Sequence, residues 1–290
     1  MRIFSSSDLH LNVNFHQLEN CTRFGIISEF AKYVAQKLII LKADVYIING
    51  DISWIAGDDK IFIEYLKKYF RRTQHHCKIL RTLGNHCLSK HYTVDEFLHR
   101  DFGKHYLVTN PIITEDFSIY GLNGFFDSTF TSNIFNDNRE AVQTTLAKRY
   151  FKDEEPVSMD KLDYIVEEQL NLLRKQVEND TNETKILMTH FLPKKEFLSA
   201  PINEKLDLKN NFMGSTKVGD FLEEHNFTKC YFGHTHRRDY AKGVNINGIT
   251  YVSNPLGTFR EWKEHKYVGD VQFNIDLMKQ QFKKTLMQVM

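Results

Sequence analysis

Apolar residues along the first eighty positions alternate between two periods. Residues 2–7, RIFSSS, read as a strand. A stretch with Phe24, Ile27, Ala31, Val34, Leu38 and Leu41 follows, apolar at steps of three and four, which is the spacing of one helix face. VYIIN at 45–49 is a short apolar strand, and Ile61, Tyr65, Leu66, Tyr69 and Phe70 mark a second helix. KILRTL at 78–83 makes a third strand. Strand, helix, strand, helix, strand is the order of a parallel sheet covered on both faces through right-handed crossovers.

FSIYGL at 117–122 predicts a further strand. From about 125 to 180 the pattern changes. A polar, aromatic, Asn-rich segment gives way to a helical one carrying Leu162, Ile165, Val166, Leu170, Leu173 and Val177. This reads as a partly helical insert or cap at the sheet edge. Strand-like runs return as KILMT (185–189), TKCYF (228–232) and ITYVS (249–253), and residues 266–275 read as a closing strand. No repeat or low-complexity tract divides the chain, and its five prolines are too scattered to mark a linker. Residues 1–290 are therefore expected to form one α/β domain carrying the insert.

Composition alters this picture little. The chain has 290 residues, 41% hydrophobic and 26% charged, with a formal net charge of +1, so it is an ordinary globular sequence able to bury a sizeable core. The near-neutral balance argues against a dedicated nucleic-acid binder. No apolar run approaches the roughly 18 residues of a membrane span, so no membrane partner is expected. The N-terminal MRIFSSSDLH lacks the apolar core of a secretion signal. Cys21, Cys77, Cys87 and Cys230 form no C-x-x-C pair. Scattered free thiols suggest a reducing compartment, and the expected location is cytoplasmic.

The chemistry lies where the strands end. The first runs into Ser7-Asp8-Leu9-His10, the second into Asn49-Gly50-Asp51 and the third into Gly84-Asn85-His86. KILMT runs into His190, and TKCYF into Gly233-His234-Thr235-His236. Ligands of open α/β sheets bind outside the carboxyl ends of strands. These ends would gather carboxylates, an amide and imidazoles in one crevice. That donor mixture suits Mn, Fe, Co or Zn. An all-oxygen shell would favour Mg or Ca, and a thiolate set structural zinc. In D-x-H and H-x-H an extended backbone would send both side chains to one side. Glycines at 50, 84 and 233 would let the backbone turn close to a metal. Within TLGNHCLS three readings stand: a His86–Cys87 zinc pair, a catalytic His86, or an ordinary turn. Each block alone has a plain reading, Asp51 as a helix cap or His190 as a core histidine. The ordered set does not.

Taken in order, DLH, GD, GNH, TH and GHTH, from Asp8 to His236, resemble the metal-site blocks of the calcineurin-like metallophosphoesterase superfamily. The resemblance implies a β-sandwich of two mixed sheets flanked by helices, in place of the single parallel sheet that periodicity suggests. It implies two divalent metal ions, Mn, Fe or Zn. Asp8, His10 and His236 would bind the first, Asp51 would bridge, and Asn85, His190 and His234 would complete the second. A metal-bridging hydroxide would attack a phosphomonoester or phosphodiester. His86 would face the phosphate as acid or electrostatic clamp without binding metal. The substrate implied is a small or nucleotide-like phosphate ester, and the pattern names no substrate-binding residue. A nuclease is the alternative enzyme, disfavoured because no basic stripe is evident. A non-catalytic scaffold is the alternative of another class, disfavoured because the ligand set is complete.

Two positions depart from the family pattern. Many relatives carry an acid directly after G-N-H, where this chain has Cys87, and an Asp three residues after the bridging Asp, where it has Trp54. The first departure leaves open what orients His86; Asp58 and Asp59 follow close behind the second. Elsewhere, His91 and His99 could flank the substrate mouth, and Arg237 and Arg238 could touch phosphate or form a solvated pair. Phe125 and Phe126 could stack a base. Asn254-Pro255-Leu256-Gly257 is expected to be structural.

Overall fold

The computed structural model describes residues 1–15, 22–55, 57–88, 91–130, 151–152, 158–200 and 204–290. Ten strands lie among them: β1 (Ile3–Ser6), β2 (Val45–Asn49), β3 (Lys78–Thr82), β4 (Ile112–Ile113), β5 (Phe117–Leu122), β6 (Thr184–Thr189), β7 (Lys229–Tyr231), β8 (Val244–Ile246), β9 (Ile249–Val252) and β10 (Met287–Gln288). They form two mixed sheets, ordered β10-β1-β2-β3 and β4-β5-β6-β7-β9-β8. In the first, β1, β2 and β3 are parallel and β10 closes antiparallel on β1. In the second, β5, β6, β7 and β9 are parallel, with β4 and β8 antiparallel at the edges.

Burial on both faces explains why the strands read as continuous apolar runs. In β2, Val45 and Ile47 point between the sheets, while Tyr46 and Ile48 point to the outer helices. In β5, Phe117 and Ile119 point inward, and Tyr120 and Leu122 outward. The layer between the sheets is completed by Ile3, Leu80, Ile186 and Met188. Outside the first sheet lie the Arg23–Ile40, Asp58–Arg72 and Ile275–Thr285 helices, joined through Phe30, whose ring meets Phe62 at 6.0 Å and Phe282 at 5.5 Å. Outside the second lies the Met159–Val177 helix, which buries Leu162, Ile165, Leu170 and Leu173 beside Leu187 and Cys230.

The strand expected at 266–275 does not form. Asn274 caps a helix there, its side chain accepting from the Leu277 amide at 2.8 Å, and the closing strand is the short β10 beyond it. Met278, Gln281, Phe282 and Thr285 give that helix its buried face. In the Arg23–Ile40 helix Phe24 is exposed, and the buried stripe starts at Ile26 and Ile27. Phe125 and Phe126 stack on each other at 4.4 Å and are fully buried, so neither is a platform for a base. Of the expected insert, residues 131–150 and 153–157 lie outside the described residues.

One side chain fastens the two sheets together at their carboxyl ends. Asn49 closes β2, and its Nδ2 donates to the carbonyls of Thr189 at 2.6 Å and Tyr231 at 3.2 Å, which end β6 and β7. Its Oδ1 accepts from Thr82 Oγ1 at 3.0 Å, at the end of β3. Four strand ends thus share one buried amide. Asn49→Ala leaves these partners buried and unsatisfied, and is expected to destabilise the protein by roughly 2–3 kcal/mol in urea denaturation.

Candidate metal centre

The strand ends deliver their blocks to one point through unusual backbone. Asp8, His10, Asp51, His234 and His236 have φ of 55°, 43°, 45°, 69° and 54°. This corrects the extended-backbone expectation for D-x-H and H-x-H. The side chains converge because the chain coils through the left-handed region just past β1 and β7. Asp and His tolerate that region better than most residues, and such outliers persist only where surroundings impose them. Here backbone bonds lace the loops together. The amides of Asp8 and His10 donate to the carbonyls of Gly50 and Asp51, at 3.3 and 3.1 Å. Those of Leu256 and Gly257 donate to Ser7 and Asp8, both at 3.0 Å. The Asn254–Gly257 turn is therefore structural, as expected, and holds Asp8 in place. Two glycines are required by contact: a Cβ on Gly84 would overlap the Asp51 carboxylate, and one on Gly50 the His190 ring.

All seven expected ligands meet in this crevice. Three groups of donor atoms lie within 4.8 Å of one another: Asp8, His10 and His236; His10, Asp51 and His86; and Asp51, His190 and His234. His10 and His236 aim their Nε2 atoms at each other, 2.8 Å apart. His236 Nε2 is 3.3 Å from Asp8 Oδ1. His190 Nε2 lies 3.2 Å from Asp51 Oδ2 and 3.1 Å from Asn85 Oδ1. Asn85 is buried with them.

Several of these groups are held by their other atom. His236 Nδ1 pairs with Glu261 Oε1 at 3.0 Å, freeing Nε2 for the crevice. His234 Nε2 meets the Phe212 carbonyl at 3.1 Å, which leaves Nδ1 facing inward. Asp8 accepts from the His234 amide at 3.1 Å, and Asp51 Oδ1 from the His86 amide at 2.8 Å. Asp51 Oδ2 is different. It is buried and accepts no hydrogen bond from the described residues, yet the Nε2 atoms of His190, His10 and His86 surround it at 3.2, 3.9 and 3.9 Å. An orphaned carboxylate oxygen inside a ring of imidazole nitrogens is the arrangement a cation completes.

The electrostatics agree. Burial pushes the Asp8 and Asp51 carboxyls up, but nearby histidines outweigh it and hold both well below the usual range. Burial pulls His236 down, but Asp8 and Glu261 raise it to about 10. Burial lowers His234 to about 3 and His86 to about 4. Two ionised carboxylates buried at one point demand positive charge, and protons on the imidazoles supply it unless a metal does.

Burial lifts the Cys87 thiol to about 11, and it packs against the apolar core, so no His–Cys zinc pair exists. Asp58 is buried and held by Arg23 and Ser53, and Asp59 pairs with Arg81 at 2.9 Å; neither joins the site. Arg238 is neither phosphate ligand nor solvated: it donates to the Pro255 and Leu256 carbonyls and stacks over Tyr267. Arg237 pairs with Asp239. His91 reaches the Trp54 carbonyl at 3.4 Å beside the site, whereas His99 faces Asp95 elsewhere. Sequence reasoning missed Glu261. Its signal was present, since T-x-x-E at Thr258–Glu261 is a capping box, and the same carboxylate caps the Phe259–Glu264 helix.

The chain belongs to the calcineurin-like phosphoesterase family, whose model matches residues 1–238. No curated protein matches it in sequence. Among solved structures it is similar to the phosphopantetheinyl hydrolase PptH from Mycobacterium tuberculosis, with 19% identity and a TM-score of 0.61 over 100% of this chain and 95% of that one. It is also similar to a dimetal phosphatase from Danio rerio, with 10% identity and a TM-score of 0.48 over 88% of this chain and 87% of that one. Among the described residues, no helix is long and apolar enough to cross a membrane.

Carboxylates behind metal-binding imidazoles fix ring orientation and raise basicity, and their loss typically weakens metal affinity about 10- to 100-fold. Glu261→Gln is expected to lower affinity for Mn or Zn in that range, read by competition with a chelating dye, while the melting temperature stays near that of the wild type because Gln also serves a capping box.

Proposed function

We propose that this chain is a metal-dependent phosphoesterase acting on a phosphomonoester or phosphodiester of small or nucleotide-like type. Its cofactors would be two divalent ions, Mn, Fe or Zn, with Asp8, His10 and His236 on one side, Asn85, His190 and His234 on the other, and Asp51 shared. The observation that carries this reading is Asp51 Oδ2, buried without a hydrogen bond and facing histidines of both groups. Family membership supplies the reaction class. Interleaving of the chain ends, with β10 beside β1, supports a single domain over 1–290, elaborated at about 125–180.

When bound, the ions supply Lewis acidity and an activated water for ester hydrolysis. The protein's own groups do the rest. Glu261 and the Phe212 carbonyl hold His236 and His234 with the correct nitrogen inward. Asn49 and the paired loops keep the two halves of the site at fixed separation. His86 stands at the rim, its side chain 22% exposed while the carboxylates are sealed, so its ring is open to an incoming phosphate. Burial keeps its ring neutral, and the ring N–H is free to donate to a phosphate or leaving-group oxygen.

The test is hydrolysis of p-nitrophenyl phosphate, bis(p-nitrophenyl) phosphate and a phosphopantetheinyl diester, with Mn, Ni or Zn restored to chelated protein. Activity should return with metal. Asp51→Asn should abolish it and leave fewer than two ions per chain by elemental analysis. His86→Ala should lower kcat roughly 10²- to 10⁴-fold with metal content unchanged. Loss of metal in His86→Ala would make His86 a ligand and overturn its assignment.

A further inference from the structure

His86 lacks the outer support of His236, His234 and His190, whose second ring nitrogens meet Glu261 and the Phe212 and Asn49 carbonyls. Its Nδ1 is buried without a hydrogen bond, and its Nε2 lies 3.9 Å from Asp51 Oδ2, beyond hydrogen-bonding range. Only its backbone amide is tied, to Asp51 Oδ1. Two rings hold its side chain instead. The Trp54 indole meets it at 4.4 Å and 82°, and the His10 ring at 4.8 Å and 87°. His86 is therefore clamped edge-to-face between an aromatic wall and a site imidazole.

Trp54 is well placed for such a task. Its amide donates to Asn12 Oδ1 at 2.9 Å, and its carbonyl is met by His91 Nε2 at 3.4 Å. The preceding Ser53 hydroxyl donates to Asp58 Oδ2 at 2.6 Å, and Asp58 is locked by Arg23. The backbone under the indole is thus fixed from several sides. Trp54 is itself 50% exposed, with one side of its indole against the His86 ring. The two departures from the family pattern meet here. Cys87 packs into the core and offers His86 no hydrogen bond, and the residue three after Asp51 is the indole that touches it.

We propose that Trp54 is the positioning residue for His86, orienting the imidazole by ring packing where a hydrogen-bonded acid would otherwise do so. Edge-to-face aromatic contacts are directional enough to select one ring orientation. The inference rests on the phosphoesterase reading for its kinetic consequence, but the orientation itself is independent of turnover.

Two measurements decide it. In zinc-loaded protein with isotope-labelled histidine, the His86 ring should give one sharp set of NMR signals in the wild type and in Trp54→Phe. In Trp54→Ala it should show exchange among orientations. A single unchanged His86 orientation in Trp54→Ala overturns the proposal whether or not any substrate is turned over. In kinetics, Trp54→Ala should lower kcat roughly 10- to 100-fold, the scale of a misplaced catalytic group, with KM within about threefold and metal content unchanged. Trp54→Phe should recover most of the loss. In a His86→Ala background Trp54→Ala should cost nothing further, because the two act as one unit. Additive losses, or a raised KM with kcat intact, would make Trp54 a substrate contact and sink the positioning role. A wild type inert toward every ester would overturn the phosphoesterase reading, while the NMR result would still decide the orientation.

Discussion

The site depends first on a buried amide. Asn49 gives one polar group to four strand ends, two in each sheet. Apolar packing between the sheets is non-directional and tolerates small sliding movements. A hydrogen-bonded amide between them does not, because each displaced partner would be left buried and unpaired. The blocks after β1, β2 and β3 come from one sheet, and those after β6 and β7 from the other. Donor atoms from both must meet within a few ångströms. A directional link beneath them is the physical condition for a shared site.

Above that link, the loops accept conformations that side chains ordinarily avoid. Five of the seven expected ligands sit at positive φ, and the adjacent Gly50 and Gly84 leave no room for a Cβ. The strain is held by the backbone bonds between loops, and it crowds imidazoles together around two buried carboxylates. Such a constellation is unfavourable for an uncharged interior, and stable when positive charge sits inside it. Folding energy is thus directed into a site that binds cations, the usual exchange of stability for function.

Much of this was legible in the sequence, and the failures have particular causes. The five blocks were readable because each places metal-capable residues at a strand end, and all of their side chains do converge. Division into two sheets was not readable from periodicity, because strands such as β2 are buried on both faces and show no alternation. The family resemblance supplied the sandwich. Residues 266–275 misled because Tyr267, Val268, Val271 and Phe273 mimic a strand, whereas the Asn274 cap decides the following structure. The convergence of D-x-H was expected for a reason that does not apply, since the backbone there is left-handed. Glu261 escaped because its sequence neighbourhood advertises a helix cap, and only folding brings it to His236.

The contrast between His236 and His86 shows how a site divides its outer support. His236 presents Nε2 to the crevice, and the carboxylate behind its other nitrogen both fixes the tautomer and raises the pKa. The same carboxylate behind His86 would raise its pKa and draw in a proton beside the proposed metal pair, adding positive charge to a site already meant to hold it. Packing carries no such penalty. An indole edge-to-face on the ring fixes direction and leaves charge almost unchanged, and burial already holds His86 near 4. A neutral imidazole with a fixed axis can still donate its N–H to an anionic phosphate. The pairing of Trp54 with Cys87 is therefore self-consistent: an aromatic wall in place of an acid changes how His86 is held, and leaves the proposed ligands untouched.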